Sequence, residues 1–250
     1  MSTVSDAFIA QICLDYCLDP SNLTDGKNHF TVFTPLDGRR TWRNEQPTFL
    51  KAVCFNSQLF MTGHPEVISL CREKFLNDPG EWFMDQNNIR RLDLILEPFG
   101  YRTESMHPFF LPKEDLFLTA PAFTFKRYDR NEIGIFRGDS RFKDAFAFDP
   151  SSPDELGIAA LDEAGEILGM AGASSDGRYL WQIGVNVLPG ARGNHIASSL
   201  VNLLSHDVLA TGHTPFYGTS LSHIVSQKVA CNAGFIPGWS ELSTSPISKG

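Results

Sequence analysis

One stretch, residues 181–235, constrains the fold of this chain more than any other. Its apolar run at 183–188 meets a Pro-Gly break at 189–190, and the four-residue spacing of apolar side chains over 196–208 then predicts a long helix. This is the pattern of a strand, a tight loop and a helix N-terminus. Because such a junction leaves backbone N–H groups without intrahelical partners at the positive end of the helix dipole, it predicts a binding site for a phosphate or pyrophosphate.

The loop before the helix narrows the type of ligand. It consists of Arg192, Gly193, Asn194, His195, Ile196 and Ala197. Their order fits neither the G-x-G-x-x-G dinucleotide fingerprint nor the G-x-x-x-x-G-K-[ST] nucleotide loop. It resembles the acyl-CoA loop of the GNAT-type N-acetyltransferases, Arg/Gln-x-x-Gly-x-Gly/Ala, in which Arg192 and Ala197 match and His195 stands where the middle glycine is usual. The resemblance implies that the backbone of this loop binds the pyrophosphate of acetyl-CoA, the acyl donor.

The order of the flanking elements extends the resemblance. Upstream, apolar runs at 156–161 and 167–173 are joined by a hairpin turn, and downstream a strand at 215–219 precedes a helix at about 221–233. Three antiparallel strands, a loop, a helix, a strand, a helix and a final strand is the order of the GNAT fold. The resemblance covers roughly residue 123 to the C-terminus and implies an α/β (α+β) protein with a mixed, mainly antiparallel sheet flanked by helices. An ordinary strand-turn-helix of another α/β domain is the alternative.

The N-terminal half carries a separate pattern of strands and helices. The sequence therefore predicts an N-terminal α/β domain over residues 1–120 and an acetyl-CoA-binding catalytic domain over 121–250. The elements predicted in the first domain are strands at 30–34 and 49–62, the latter broken by a turn near 56–57, and helices at 65–76 and 87–98.

An internal echo relates the two halves. Residues 82–102 and 215–237 both show an aromatic strand, a polar turn, a helix and a glycine with an aromatic neighbour, at nearly equal spacing. The echo predicts that the N-terminal domain is a degenerate copy of the same fold, with a strand near Phe83, and that it builds the acceptor pocket. Two unrelated small α/β units are the alternative, since glycines commonly end helices.

The chemistry that the resemblance implies is direct attack of an acceptor amine on the acyl thioester. Backbone N–H groups around Val185 and Val187 would donate hydrogen bonds to the developing oxyanion, and Ser226 would lie beside the CoA. Many members of the family place a Glu on the central strand, and the corresponding position here is Gln182 or Trp181. Neither side chain is a base, so Gln182 is a catalytic candidate by position only.

His223 is the candidate that would replace the missing base. It begins the last helix, and the ordinary pKa of an imidazole suits proton transfer near neutrality. A helix-start residue bonded to the backbone is the structural alternative, and Glu241 and Glu132 are further acids that stay open. The family's general acid, a Tyr on the same helix, corresponds to Ala230 here.

Charge and composition argue against several classes of function. A net charge of −8 without a Lys/Arg cluster argues against a nucleic-acid partner and favours a cationic acceptor by steering, although solubility explains an acidic surface equally well. No apolar run approaches the length of a membrane span, and the first twenty residues lack the Lys or Arg of a signal peptide, so the cytoplasm is the expected location. The histidines and the five scattered cysteines lack metal-ligand spacing, so no metal is expected.

The sequence thus predicts an acetyl-CoA-dependent N-acyltransferase that acts on the amine of a small molecule or peptide. A catalytically inactive CoA-binding regulatory or scaffold protein is the alternative, because the CoA loop is present while the strand Glu and the helix Tyr are missing. The acceptor, the acyl length and the oligomeric state, including a homodimer, stay open.

Overall fold

The computed structural model describes residues 4–40, 49–118 and 123–247, which form two compact units. Among the described residues, the C-terminal unit contains 4–8, Arg40, 110–118 and 123–237, and the N-terminal unit contains 9–39, 49–109 and 238–247. Because each unit draws on more than one segment of the chain, the units do not coincide with a single cut at residue 120. The division into domains 1–120 and 121–250 stays a prediction.

The described residues form five α-helices and ten strands. The helices are α1 (Val4–Tyr16), α2 (Pro65–Phe75), α3 (Gln86–Leu96), α4 (Ile196–Ala210) and α5 (Ile224–Asn232). The strands are β1 (His29–Val32), β2 (Leu50–Phe55), β3 (Gln58–Gly63), β4 (Tyr101–Pro112), β5 (Thr124–Asp129), β6 (Asp154–Leu161), β7 (Ile167–Ser174), β8 (Leu180–Val187), β9 (Thr214–Gly218) and β10 (Phe235–Pro246). Among the residues described, none of the helices combines the length and the apolar character needed to cross a bilayer.

The C-terminal unit is built on a mainly antiparallel sheet. Strands β5, β6, β7 and β8 pair antiparallel in that order, and β9 joins β8 in the parallel sense. The β6–β7 connection is the predicted tight turn, in which the Asp162 carboxylate accepts the N–H groups of Ala164 and Glu166. The mixed, mainly antiparallel α/β fold predicted from the sequence is confirmed.

The two faces of β8 have different roles. Ile183 lies in the core that α4 builds against β6, β7 and β8, and Val185 and Val187 pack against the same core. Because side chains alternate along a strand, the intervening residues between 182 and 186 face away from α4. Residues 183, 185 and 187 of β8 therefore face the α4 core, whereas residues 182, 184 and 186 lie on the other face of the sheet.

A row of glycines crosses that second face. Gly157 on β6 is aligned with Gly172 on β7, which is aligned with Gly184 on β8. A Cβ atom on Gly172 would overlap the backbone oxygen of Ala145, and one on Gly184 would overlap that of Asp144. Only glycine allows the segment before β6 to lie this close to the sheet.

The N-terminal unit has a sheet of its own. The hairpin of β2 and β3 turns through Asn56 and Ser57, whose φ angles of 50° and 61° are those of a tight two-residue turn, as the sequence predicts. β1 pairs parallel to β3, β10 pairs antiparallel to β2, and β4 is the next neighbour of β10. The helices α2 and α3 contribute Phe75 and Leu92 to the core of this unit.

The internal echo is only partly confirmed. The predicted helix is α3, but the strand expected near Phe83 is wrong, because the chain forms a 3₁₀ turn at Gly80–Trp82 and Phe83 packs edge-on against Phe75. The strand that pairs parallel with β3 is not this segment but β1, which precedes β3 in the chain. An aromatic side chain that fills a core from a turn gives the same local pattern as one on a strand. Descent of this unit from a duplicated copy stays a prediction.

The last helix begins later than its sequence pattern indicates. Leu221 and Ser222 belong to a turn, which the main-chain N–H of His223 closes on the oxygen of Ser220, and α5 starts at Ile224. The Gln227 amide donates to the oxygens of Ser220 and Leu221 and fixes this turn. The shift leaves the 219–223 segment outside the helix.

Candidate active site

Strands β8 and β9 separate part-way along their length. Their parallel pairing ends at Gln182 and Phe216, although β8 continues to Val187 and β9 to Gly218. Beyond this pair, which we call the apex of the splay, the described backbone shows no further pairing between the two strands. The facing edge of β8 is therefore open to a ligand.

A cavity of about 510 Å³ lies at the splay. It is lined by β8 from Gln182 to Val185, by the end of β9 and the turn that follows, by the start of α5, and by the loop of residues 143–149. This loop connects to β6 through Asp154, which also lines the cavity. The volume is within the range of sites for small molecules, roughly 300–1,000 Å³.

Asn186 ties the 143–149 loop to β8. Its side-chain oxygen accepts the main-chain N–H groups of Asp144 and Ala145 at 2.9 and 3.0 Å, and its amide donates to the Asp144 carboxylate at 2.7 Å. Together with the close approach to Gly172 and Gly184, these bonds fix one wall of the cavity.

The cavity lining is acidic. Asp144, Asp149, Asp154 and Asp176 contribute carboxylates, against the single cation Lys143 among the lining residues described. Burial raises the pKa of Asp154, although its Oδ2 accepts the main-chain N–H of Phe148 at 2.8 Å. Such a lining favours a ligand that carries positive charge.

Asp176 stands beside the apex. Its Oδ2 accepts the main-chain N–H of Gln182 at 3.1 Å and the hydroxyl of Ser174 at 2.8 Å, and the Ser152 side chain also bonds to it. Burial raises the pKa of Asp176 to about 6, against the opposing effect of these hydrogen bonds and of the Arg40 guanidinium. A carboxyl group that titrates near neutrality in a cavity is a feature of catalytic sites.

The loop before α4 has the backbone form of an anion site. Gly193 and His195 adopt left-handed φ angles of 87° and 56°, and residues 192–195 are exposed. No side chain caps the helix, and its first turn contains no acidic residue. The first N–H groups of α4 are therefore available to an anion.

Comparison with known proteins identifies the domain that carries this site. Residues 119–234 match the model of the Acetyltransferase (GNAT) family. Residues 119–234 are a GNAT acetyltransferase domain. The GNAT domain includes the splay, the 143–149 loop and α4, and it ends at the glycine that follows α5. It is a domain of the N-acetyltransferase class of enzymes. A search of curated proteins found no match to the chain.

Solved structures of GNAT proteins resemble the chain at low identity. A GCN5-related N-acetyltransferase-like protein from Streptococcus suis is 18% identical, with 84% of this chain and 89% of that chain covered and a TM-score of 0.46. A GNAT-family acetyltransferase from Colwellia psychrerythraea is 14% identical, with 98% of each chain covered and a TM-score of 0.45. A GCN5-related N-acetyltransferase from Kribbella flavida is 14% identical, with 62% of this chain and 63% of that chain covered and a TM-score of 0.45. This chain therefore spans less than two thirds of that protein.

The two strand positions considered for the missing Glu lie on different faces of the GNAT domain. Gln182 lines the cavity at the apex. Trp181 packs against the α4 core and stacks on His213, with ring centroids 4.2 Å apart. Val185 lines the cavity, whereas Val187 is not among its lining residues in the described chain.

The residues predicted on the last helix also differ in burial and in their position relative to the cavity. His223 is exposed, lines the cavity and makes no capping bond with its side chain. Ser226 is buried at the cavity wall, with its Oγ 2.9 Å from the Tyr217 hydroxyl. Ala230 lies in the core that α4 covers. Tyr217 was missed from the sequence, because an aromatic residue on a short strand is an ordinary core residue.

The remaining acids have structural partners. Glu241 belongs to the N-terminal unit, where it is buried and accepts the indole N–H of Trp239 at 3.1 Å. Glu132 is exposed in the GNAT domain and accepts the main-chain N–H of Asp129 at 3.0 Å. Asp176 was missed, because an Asp-Gly pair between two strands is an ordinary turn pattern and carries no local sign of burial.

Proposed function

We propose that the GNAT domain binds acetyl-CoA and transfers its acetyl group to the amine of a small molecule or peptide in the cytoplasm. The observation that carries the proposal is the separation of β8 from β9 at a cavity of about 510 Å³, in a domain whose helix α4 has an uncapped N-terminus. The family match supports the class of reaction, and the contacts of this chain support the roles that we propose for individual residues.

The pyrophosphate of acetyl-CoA would lie on the backbone of Arg192, Gly193, Asn194, His195, Ile196 and Ala197. Two residues of this loop have side chains that hold its shape: the Arg192 guanidinium donates to the Val187 oxygen at 3.3 Å, and the Asn194 amide donates to the Ala191 oxygen at 3.3 Å. The residues present fit an anion, because the first turn of α4 lacks acidic side chains and Gly193 opens the chain into a left-handed conformation.

The thioester would lie along the open edge of β8. Beyond Gln182 the strand has no β9 partner in the described backbone, so main-chain N–H groups at Val185 and Val187 are candidates to bond the carbonyl oxygen as charge develops on it. Donors fixed in a strand need little reorganisation during the reaction, which is the basis of oxyanion stabilisation.

The departing thiolate would meet Tyr217 where other members of the family use a helix Tyr. Burial raises the pKa of Tyr217, so its hydroxyl is protonated at neutral pH, and its bond with Ser226 orients it at the cavity. Ser226 thus positions Tyr217 in addition to lying beside the CoA.

The acceptor would enter as an ammonium group. The carboxylates of the lining attract a cation, and the cavity offers room for a small side chain or molecule beside the thioester. The alternative of an inactive CoA-binding protein rests on the missing strand Glu and helix Tyr, and the carboxyl group of Asp176 and the hydroxyl of Tyr217 in the cavity weigh against it.

Calorimetry with acetyl-CoA and an assay of free CoA release over a panel of amines test this proposal. We expect binding of acetyl-CoA and faster release of CoA with a cationic amine than with an amide or alcohol. Absence of CoA binding by the wild type would refute the function. Binding of CoA without turnover of any amine would favour the regulatory alternative.

A further inference from the structure

The carboxylate nearest to the apex comes from the turn before β8. We propose that Asp176 is the general base of the acetyl transfer and supplies from that turn the carboxylate that β8 lacks at Gln182. This inference rests on the proposed function and assigns a proton acceptor to its reaction.

The position of Asp176 carries the argument. The hydrogen bond from the main-chain N–H of Gln182 places the carboxylate beside one of the two strand residues, Gln182 and Trp181, that correspond to the Glu of many family members. Gln182 is also the last residue of β8 that pairs with β9, so the carboxylate lies at the level along β8 where the open edge begins. Asp176 itself lines the cavity, so an acceptor bound there can reach it.

The surroundings of Asp176 hold its carboxylate in one place. Ser174 donates its hydroxyl, Ser152 is a buried hydrogen-bond partner, and the buried Arg40 supplies positive charge. The other charged or titratable groups that line the cavity are Lys143, Asp144, Asp149, Asp154, Tyr217 and His223. Because burial outweighs these stabilising contacts, the pKa of Asp176 is about 6, which brings its basicity closer to that of an amine than an ordinary Asp.

The proposed step balances its protons. Asp176 removes one proton from the ammonium group of the acceptor, and the freed lone pair on nitrogen forms the C–N bond with the thioester carbonyl carbon. The C–S bond breaks, and the thiolate receives a proton from Tyr217, which regains one from the nitrogen. The proton on Asp176 passes to solvent. The products are the acetamide, CoA as the free thiol and one proton.

The test compares two isosteric changes. Asp176→Asn keeps an oxygen that accepts from Ser174 and Gln182 but removes the base, whereas Asp162→Asn makes the same change in the β6–β7 turn, outside the cavity. We expect Asp176→Asn to lower kcat by roughly 10²-fold to 10⁴-fold, as loss of a general base does, with acetyl-CoA affinity unchanged by calorimetry. Asp162→Asn should keep the kcat of the wild type.

A pH profile separates a base from a merely structural carboxylate. The wild-type kcat/KM should rise with pH through about 6, because Asp176 must be ionised to accept a proton. Ser174→Ala removes one hydrogen-bond donor to the carboxylate, so it should raise the pKa of Asp176. The rise of kcat/KM should therefore shift to higher pH, while the kcat/KM reached at high pH stays that of the wild type. This variant tests the proposal even where Asp176→Asn fails to fold.

Three outcomes would overturn the assignment. The assignment would be overturned if Asp176→Asn kept the kcat of the wild type. It would also be overturned if the rise of kcat/KM with pH stayed at the same pH in Ser174→Ala. Turnover that falls in His223→Asn and not in Asp176→Asn would make His223 the base. A wild type that binds no acetyl-CoA or acetylates no amine would overturn the proposed function as well, which distinguishes that failure from failure of the base alone.

Discussion

Asn186 holds Asp144 at both ends of its side-chain amide, accepting the main-chain N–H at 2.9 Å and donating to the carboxylate at 2.7 Å. The same oxygen accepts the N–H of Ala145. A strand residue that faces away from the core thereby fixes a wall of the cavity in which we propose that the acceptor binds.

Asn186→Ala should loosen this wall. The change leaves the main-chain N–H groups of Asp144 and Ala145 without this acceptor. Because Ala145 is buried, its unpaired N–H should cost about 1–3 kcal/mol, so a fall in unfolding free energy is expected in urea. The KM for the amine should rise while acetyl-CoA affinity is kept. Asn186→Asp is the matched variant, because it keeps the accepting oxygen but places a second negative charge beside Asp144. Unchanged KM in both variants would contradict a role for this contact in acceptor binding.

Gly184→Ala should displace the same wall by a different route. Its Cβ would overlap the backbone oxygen of Asp144, and overpacking of this kind costs typically about 1–3 kcal/mol. Gly190→Ala is the control, since a Cβ at Gly190 meets nothing within 4 Å and its φ is not positive. The measurement is the urea midpoint of both variants. Equal midpoints would show that the loop moves away from Gly184 without cost.

Gly193→Pro should weaken acetyl-CoA binding. Proline removes an N–H from the loop and requires a φ near −65°, whereas Gly193 has a φ of 87°. Loss of a charge-assisted hydrogen bond of about 1.5–3 kcal/mol corresponds to roughly a 10-fold to 10²-fold rise in Kd. Calorimetry with acetyl-CoA measures it, again with Gly190→Ala as the control. Wild-type affinity in Gly193→Pro would remove this loop from the binding site.

Local patterns made part of this structure predictable from sequence. The β6–β7 turn, the hairpin at Asn56 and the strand, loop and helix around Gly193 depend on periodicity and on turn residues, which act over a few positions. The strand near Phe83 was predicted wrongly, because a buried aromatic residue does not by itself distinguish a strand from a turn that packs on a core.

The candidate site was less predictable, because it depends on contacts between distant segments. The pKa of Asp176 depends in part on a hydrogen bond with Ser152 and on the charge of Arg40, and no local pattern links these residues. Interior glycines on three successive strands, Gly172 and Gly184 among them, indicate that a second segment approaches the sheet closely.

Asp176 should leave a signature in stability as well as in rate. Its pKa is raised by burial to about 6 from an ordinary value of 3.8, so between these values the folded state holds a proton that the unfolded state has lost. The contribution of this carboxyl to unfolding free energy therefore falls as pH rises from about 4 to about 6 and is constant outside that window. The unfolding free energy of the wild type minus that of Asp176→Asn, measured in urea from pH 4 to 8, should decline over this window and then level off. A difference that does not vary with pH would mean that the Asp176 carboxyl has the same pKa in the folded protein as in the unfolded chain.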